Sequence, residues 1–377
     1  MIARPYQICT RCVMDTSDPF ISFDGEGRCN LCTDFLENRL TVMVSSEKNG
    51  QSLEALFDTV RKRGRGRKYD CVIGVSGGVD SSYTCLLAAR HGLRALAVHL
   101  DNGWNSPIAV KNIRNVVSRL GIDYASYVLP WTDFRKVQLA FLKASVPEAE
   151  TPTDVAIQRA VHHHALKHRV PTVLSGGNIA GEGILPVSWH YNGRDTRYSY
   201  AILDAANCPR KHFASQKFGA LDEIYCKVIR GIRTLYPLNH VDYDKDSAKA
   251  EMEQDYGWQN YGAKHGESRY TRFIQSYYLV VKHGIDYRRA TFSSEILIGR
   301  LSRETALAAL EQPPFTEDIE AEIDFVCKKL AISRSEMDAI IASPPKYYVD
   351  YPNQSRQLGL LYDAYRAITG RKKTSNF

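Results

Sequence analysis

The sequence predicts a doubly wound α/β fold, a mostly parallel sheet with helices on both faces, with a small cysteine-rich module before it and helices after it. Three observations predict this. The uninterrupted apolar run Tyr69–Val75 leads directly into Ser76-Gly77-Gly78-Val79-Asp80-Ser81-Ser82 and then into a helical period of Tyr83, Leu86, Leu87 and Arg90, which reads as buried strand, tight turn and helix. Further strand-length apolar runs then alternate with amphipathic helical ones, the pattern of repeated βαβ units. Finally, two C-x-x-C pairs open the chain, and polar-faced helical periods close it.

The chain has 377 residues, enough for one large domain or two ordinary ones. Its net charge of +7 and pI of about 8.8 permit anionic partners without demanding them. No N-terminal stretch has the order of a signal peptide and no apolar run reaches membrane-span length, so a cytoplasmic protein without a membrane partner is expected. The nine cysteines suit metal binding in a reducing compartment better than a disulfide framework.

Taken in order, residues 1–50 form the first unit. Cys9-Thr-Arg-Cys12 and Cys29-Asn-Leu-Cys32 are separated by sixteen residues, the spacing of a four-cysteine zinc ribbon, with Asp24-Gly25-Glu26-Gly27 as the intervening hairpin turn. Four thiolates leave no open coordination position, so the Zn²⁺ is expected to be structural. Residue type alone also admits an iron–sulfur cluster. Residues 51–68 are a short amphipathic helix, Ser52–Lys62, running into the basic stretch Arg61–Lys68. Without interleaved aromatic residues to stack on bases, that stretch reads as a solvated linker rather than an RNA contact, and a nucleic acid partner is not expected.

The core unit is assigned to residues 69–290. Adjacent Gly77 and Gly78 let backbone N–H groups converge at the start of a helix, and Ser76, Ser81, Ser82 and Asp80 surround them, a cradle for phosphate oxygens. No G-x-x-x-x-G-K-[ST] occurs in the chain, so this is not a Walker loop. A second strand, Ala95–Leu100, ends in Asp101-Asn102, which read equally as nucleotide or metal contacts and as ordinary turn residues, since ligands of parallel sheets lie beyond the strand carboxyl ends. A helix over 110–120, a strand over 124–129 and a helix over 134–143 follow. The helix Thr153–His168 contains His162, His163 and His164, which point in different directions and cannot share one ion; Asp154 at its start is better placed to reach a nucleotide. The strand Thr172–Ser175 ends in Gly176-Gly177-Asn178-Ile179-Ala180-Gly181-Glu182. Its small residues allow an adenosine or sugar to approach, and Glu182 is a ligand for Mg²⁺ bridging phosphates. The tyrosines and arginines over 184–208 suit either a wall for a ring-shaped polar substrate or an interface. In Gly262–Gln275, Lys264, His265 and Arg269 read as phosphate or transition-state contacts, the alternative being a charged surface turn. Residues 291–377 form the helical C-terminal subdomain, with no chemistry assignable from spacing.

The S-G-G-V-D-S-S turn resembles the PP-loop of ATP pyrophosphatases, which implies the adenine nucleotide alpha hydrolase-like fold and cleavage of ATP between its α and β phosphates. Several stretches together resemble one branch of that group: C-T-R-C-V-M-D-T-S-D-P from Cys9, F-D-G-E-G-R-C-N-L-C from Phe23, L-S-G-G-N from Leu174, K-H-G-E-S-R-Y-T-R-F from Lys264 and K-H-G-I-D-Y-R-R-A from Lys282. They are similar to the N-acetyl sugar amidotransferases of the WbpG type, in lipopolysaccharide O-antigen biosynthesis. The resemblance implies ATP with Mg²⁺ as co-substrate and a nucleotide-linked amino sugar whose N-acetyl group becomes an acetamidino group. It also implies ammonia from a partner glutaminase, with a cyclase-like subunit as a further possible partner. Ser76, Gly77, Gly78, Asp80, Ser81, Ser82, Asp101, Asn102, Gly176, Gly177 and Asn178 would bind ATP or pyrophosphate. Asp80, Glu182, Lys264 and His265 would be catalytic. The rival is a tRNA-modifying PP-loop enzyme, which would need a catalytic cysteine near the nucleotide; Cys71 and Cys85 flank the loop but read as packing residues.

Overall fold

The apolar run before the glycine turn becomes the middle of the sheet. The computed structural model describes residues 5–40, 52–261, 266–315 and 319–369. Among these, five parallel strands, β1 Cys71–Gly74, β2 Ala95–Asp101, β3 Asp123–Val128, β4 Thr172–Leu174 and β5 Arg233–Leu235, lie in the order β3-β2-β1-β4-β5. The chain builds outward from β1 to β3, then returns to β1's other side with β4. The reversal between β1 and β4 leaves a crevice at their carboxyl ends, the position where parallel sheets receive ligands.

Both faces of the sheet are covered, as the unbroken apolar runs require. Cys71, Ile73, Ala95 and Ala97 pack with one core layer, and Val72, Leu96 and Val98 with the other. The first layer is closed by α1 Leu53–Gly64, α2 Val79–Arg90 and α3 Pro107–Leu120, the second by α4 Trp131–Lys143 and α5 Thr151–Lys167. Helix starts are set by short polar caps: Ser52 Oγ accepts from the Ala55 amide and Ser106 Oγ from the Ala109 amide, each at 3.2 Å. The sequence contains no clear sign of β5, which is three residues long, and β3 starts one residue earlier than its apolar pattern suggests. As an edge strand β3 needs less apolar surface, and most of its residues are exposed.

The basic stretch has a structural role. Arg63 donates to the carbonyls of Pro171 (3.0 Å) and Gly231 (2.6 Å), and Arg67 to that of Arg169. Lys68 pairs with Asp123 at 3.1 Å. These cations tie α1 to the amino-terminal ends of the strands.

The cysteine module is sewn to the C-terminal helices. Its turn closes with Asp24 N–H donating to Arg28 O and Gly27 N–H to Asp24 O, each at 3.0 Å, and its sulfurs lie in the core layer that also contains Ile285, Ala290 and Ile323. The long helix after Ser268 runs as Arg269–Phe273, a π turn Ile274–Tyr278 and Leu279–His283, ending at Gly284 with φ +66°. Buried Lys282 sends its ammonium to the end of helix Arg334–Ala342, donating to Ile340 O at 2.6 Å, Ser343 O at 2.5 Å and Ser343 Oγ at 2.9 Å. An ammonium among terminal carbonyls is favoured by the helix dipole.

Candidate active site and four-cysteine metal centre

The turn after β1 is held open by its neighbours. Gly77 has φ +86°, and a Cβ there would lie 2.5 Å from the Ala109 carbonyl oxygen, so only glycine fits without a shift. The Gly77 carbonyl accepts from Trp258 Nε1 at 2.9 Å and Asn112 Nδ2 at 3.3 Å. In a trans peptide the next N–H points the opposite way, so these two donors fix the direction of the Gly78 amide. Ser81 Oγ closes the loop on itself, donating to Gly78 O at 3.1 Å and accepting from Ser76 N–H at 3.3 Å. Ser82 is buried, with its amide bonded to Gly78 O. The amino end of α2 thus faces the cradle with positive potential.

Asp80, in the first turn of α2, accepts from Tyr243 OH at 2.5 Å and from Lys245 Nζ at 3.4 Å. Burial, with the Asp80 charge next, pushes the Tyr243 phenol well up. Gly176 lies directly against this turn, since a Cβ would come within 2.8 Å of Ser81 N. Beside it a Cβ on Gly177 would lie 3.2 Å from Glu182 Oε2. The structure therefore brings Ser76, Gly77, Gly78, Asp80, Ser81, Gly176, Gly177 and Glu182 to the crevice between β1 and β4.

Asp101, Asn102 and Asn178 stand at the same rim with side-chain oxygens turned to their own loops, while Asn102 Nδ2 donates to Thr153 Oγ1 at 3.3 Å. Asp101 Oδ1 accepts from Gly103 N–H at 3.0 Å, Asn102 Oδ1 from Trp104 N–H at 3.1 Å, and Asn178 Oδ1 from Gly181 N–H at 2.8 Å as the cap of helix Ile179–Glu182. Lys264 and His265 lie outside the described residues. The residues after them are stitched to the loop following β2: Ser106 N–H donates to Glu267 O at 2.9 Å and Arg269 N–H to Trp104 O at 3.2 Å. Arg269 itself turns away, donating to Glu322 at 2.9 and 3.1 Å.

Residues without any sequence signal, together with Glu267, complete the site. Tyr261 OH and Glu267 Oε1 approach the Cβ position of Gly78 to 3.3 and 3.7 Å. Tyr243, Lys245, Tyr261 and Trp258 follow no recognisable spacing and are brought in by the tertiary fold alone; Glu267 belongs to the K-H-G-E stretch. Asp154, Glu150 and Tyr287 form a wall near Glu182, close enough for the carboxylates to act on the Tyr287 phenol. Burial pushes Glu150 up to about 7, Asp154 rises by burial and then the Glu150 charge, and burial pushes His190 down to about 4. The three adjacent histidines do not converge: His162 stacks on Phe218, His163 meets Tyr127 and His164 stacks on His168. Cys71 is pushed well up by burial and Cys85 up to about 12, so both are inert packing thiols.

The four cysteines of the two knuckles are buried, with ligand atoms all within 4.8 Å of one another. Cys9 Sγ lies 3.8 Å from Cys32 Sγ and Cys12 Sγ 3.6 Å from Cys29 Sγ. Amides of Arg11, Cys12 and Cys29 point at Cys9 Sγ from 3.2–3.4 Å, the usual support for thiolates on a metal. A closed four-sulfur set fits a structural tetrahedral metal.

Residues 267–367 match the family described as LPS biosynthesis protein WbpG-like, C-terminal domain. No curated protein matches the sequence. Among solved structures, the chain is similar to an NH3-dependent NAD synthetase from Campylobacter jejuni, with 14% identity, 55% of this chain and 96% of that chain covered, and a TM-score of 0.29. It is also similar to an NMN synthetase from Francisella tularensis, with 13% identity, coverage of 56% and 96%, and a TM-score of 0.29.

Proposed function

We propose that this member of the WbpG-like LPS biosynthesis proteins, identified by its residues 267–367, is an ATP-dependent amidotransferase acting on a nucleotide-linked amino sugar. The observation that supports this most is the meeting of two parts: the beginning of the WbpG-like domain, at Glu267, lies against Gly78 of the phosphate cradle. A nucleotide bound there would be enclosed between the loop and the domain that typifies the family.

An amide carbonyl is a poor electrophile. In the proposed reaction the acetamido oxygen attacks the α-phosphorus of ATP, pyrophosphate leaves, and the amide N–H proton is lost to give an adenylated imidate. Ammonia then adds to the imidate carbon and AMP departs, leaving the acetamidino group. The start of α2 and the 76–78 turn, whose Ser76 and Gly78 amides would exchange their present bonds to Ser81 Oγ and Ser76 Oγ for phosphate oxygens, would hold the departing pyrophosphate, and Lys245 would neutralise its charge. Asp80 orients Tyr243 and Lys245. Glu182 and Asp80 would hold Mg²⁺, which supplies charge neutralisation at the phosphates. The remaining rate enhancement would come from positioning by the Glu150–Tyr287 wall. Zn²⁺ on Cys9, Cys12, Cys29 and Cys32 would be structural. Ammonia would come from a glutaminase partner.

A tRNA-modifying activity would need a reactive cysteine beside the nucleotide, and the flanking Cys71 and Cys85 are held as neutral thiols. The test is release of AMP and pyrophosphate from ATP by purified protein. Release should require both an acetamido nucleotide sugar and ammonium; release stimulated by tRNA alone would overturn the proposal.

A further inference from the structure

The second cysteine knuckle continues without a break toward the active site. Cys29 is the N-cap of helix Asn30–Asp34, which runs on as the π turn Phe35–Arg39. The fully buried Phe35 ring lies over Gly183, where a Cβ would come within 2.2 Å of the ring and 2.5 Å of Ile179 O. Arg39, with a side chain only 12% exposed, donates from Nη1 to Gly183 O at 2.9 Å and from Nε to Asp34 Oδ2 at 3.0 Å. Gly183 is the residue directly after Glu182, whose carboxylate overlies Gly177.

The same turn is gripped from the other side. Ile184 N–H donates to Ser294 Oγ at 3.0 Å on helix Arg288–Leu297. That helix is in turn pinned to the first knuckle: Val13 N–H donates to Ser293 Oγ at 3.2 Å, Arg289 Nη1 to Val13 O at 2.9 Å, and Arg289 pairs with Asp15 at 3.0 Å. From the next helix, Arg303 donates to Cys9 O at 2.9 Å and Cys12 O at 3.0 Å. Both knuckles therefore converge on the short segment carrying Glu182, one directly through Phe35 and Arg39, the other through the helix that follows Tyr287.

We infer that the four-cysteine module is a brace for the Glu182 carboxylate, with Arg39 as its positioning residue. This rests on the reading of Glu182 as a Mg²⁺ contact. The guanidinium holds the peptide next to Glu182 in a largely buried contact, and the knuckle, which a metal on its thiolates would pin, holds the guanidinium. Occupation of the four thiolates is thereby coupled to the Mg²⁺ end of the ATP site, more than 140 residues away in sequence.

The test uses the full chain with Arg39→Met, Arg39→Lys and Glu182→Gln. Three quantities are measured: zinc content, the Mg²⁺ concentration that half-saturates AMP formation, and calorimetric binding of Mg²⁺ with α,β-methylene-ATP. With zinc content unchanged, Arg39→Met should raise the Mg²⁺ midpoint by about 10-fold or more, as loss of an outer-shell support does. Arg39→Lys, which keeps a donor, should recover part of that shift. Activity lost at an unshifted midpoint, or a midpoint equal to that of the parent, overturns the brace. An unshifted midpoint in Glu182→Gln overturns the Mg²⁺ reading itself; a shift there without one in Arg39→Met overturns the brace alone.

Discussion

Replacing Gly77 by alanine should damage both stability and ATP use, and the size of the effect follows from two separable causes. The first is backbone: at φ +86° a residue with a Cβ pays about 1–2 kcal/mol. The second is space: the new methyl would sit 2.5 Å from Ala109 O and 2.8 Å from Ala109 Cα, backbone atoms of α3 that move only with the helix, and overpacking of this kind costs about 1–3 kcal/mol. Together they amount to about 2–5 kcal/mol. Gly92 isolates the first cause, because it has φ +67° and a Cβ there would meet nothing within 4 Å. Gly92→Ala should therefore lose only the backbone part, and the excess loss in Gly77→Ala measures the close approach. Urea unfolding of both variants gives the stabilities, and AMP release gives the activity. If Gly77→Ala were no less stable than Gly92→Ala and still formed AMP at the parental rate, the account of the phosphate cradle would be refuted.

Asp80→Ala should abolish AMP formation while zinc content stays at about one ion per chain, because the carboxylate and the thiolates share no contact; retained activity would remove Asp80 from the mechanism. Lys282→Met should destabilise the protein by at least about 2 kcal/mol, since charge-assisted bonds to carbonyls at the end of helix Arg334–Ala342 are lost; an unchanged denaturation midpoint would contradict the capping role. Glu148 is buried, accepts from Tyr198 OH at 3.0 Å, and is pushed by burial from 4.5 up to about 7. A carboxyl raised in the fold stabilises fully below the unfolded value and loses that contribution as pH climbs to the folded one. At roughly 1.4 kcal/mol per pH unit, stability should fall by roughly 3 kcal/mol between pH 4.5 and 7 on this account. Glu148→Gln should flatten that part of the melting-temperature profile, and a profile of unchanged slope would exclude Glu148 as its source.

What could be read in advance divides along local and non-local chemistry. The cradle was legible because strand, glycines, hydroxyls and helix start are contiguous over Tyr69–Arg90. The four-cysteine cluster was legible because each knuckle is four residues long. The strands β1, β2 and β4 declare themselves through unbroken apolar runs, whereas β5 has three residues, only partly buried, and little to distinguish it from a loop. Tyr243 and Lys245 could not be found from spacing, because what makes them relevant is a hydrogen bond and an ion pair across more than 160 residues. Arg269 shows the converse: its charge and neighbours suggest phosphate, yet Glu322, distant in sequence and buried, claims it. The basic stretch reads as a solvated linker, yet Arg63 lies in α1 and donates to the Pro171 and Gly231 carbonyls, a tie that depends on where the strands begin.

The π turn Ile274–Tyr278 sets the phase of everything after it. Its wider i→i+5 step inserts one residue without breaking the helix. Deleting one residue there would restore a regular helix and leave the faces on either side in their present relation. Winding the same residues as a regular helix would instead turn every later side chain by about 100° relative to those before it. Lys282 would leave its carbonyls and Tyr287 would leave the wall beside Asp154, while Tyr270 and Thr271 stayed in place. One residue of helical slack thus sets the angle between the residues beside the phosphate turn and those that follow Gly284, and this angle can be changed in steps of a whole residue but not tuned continuously.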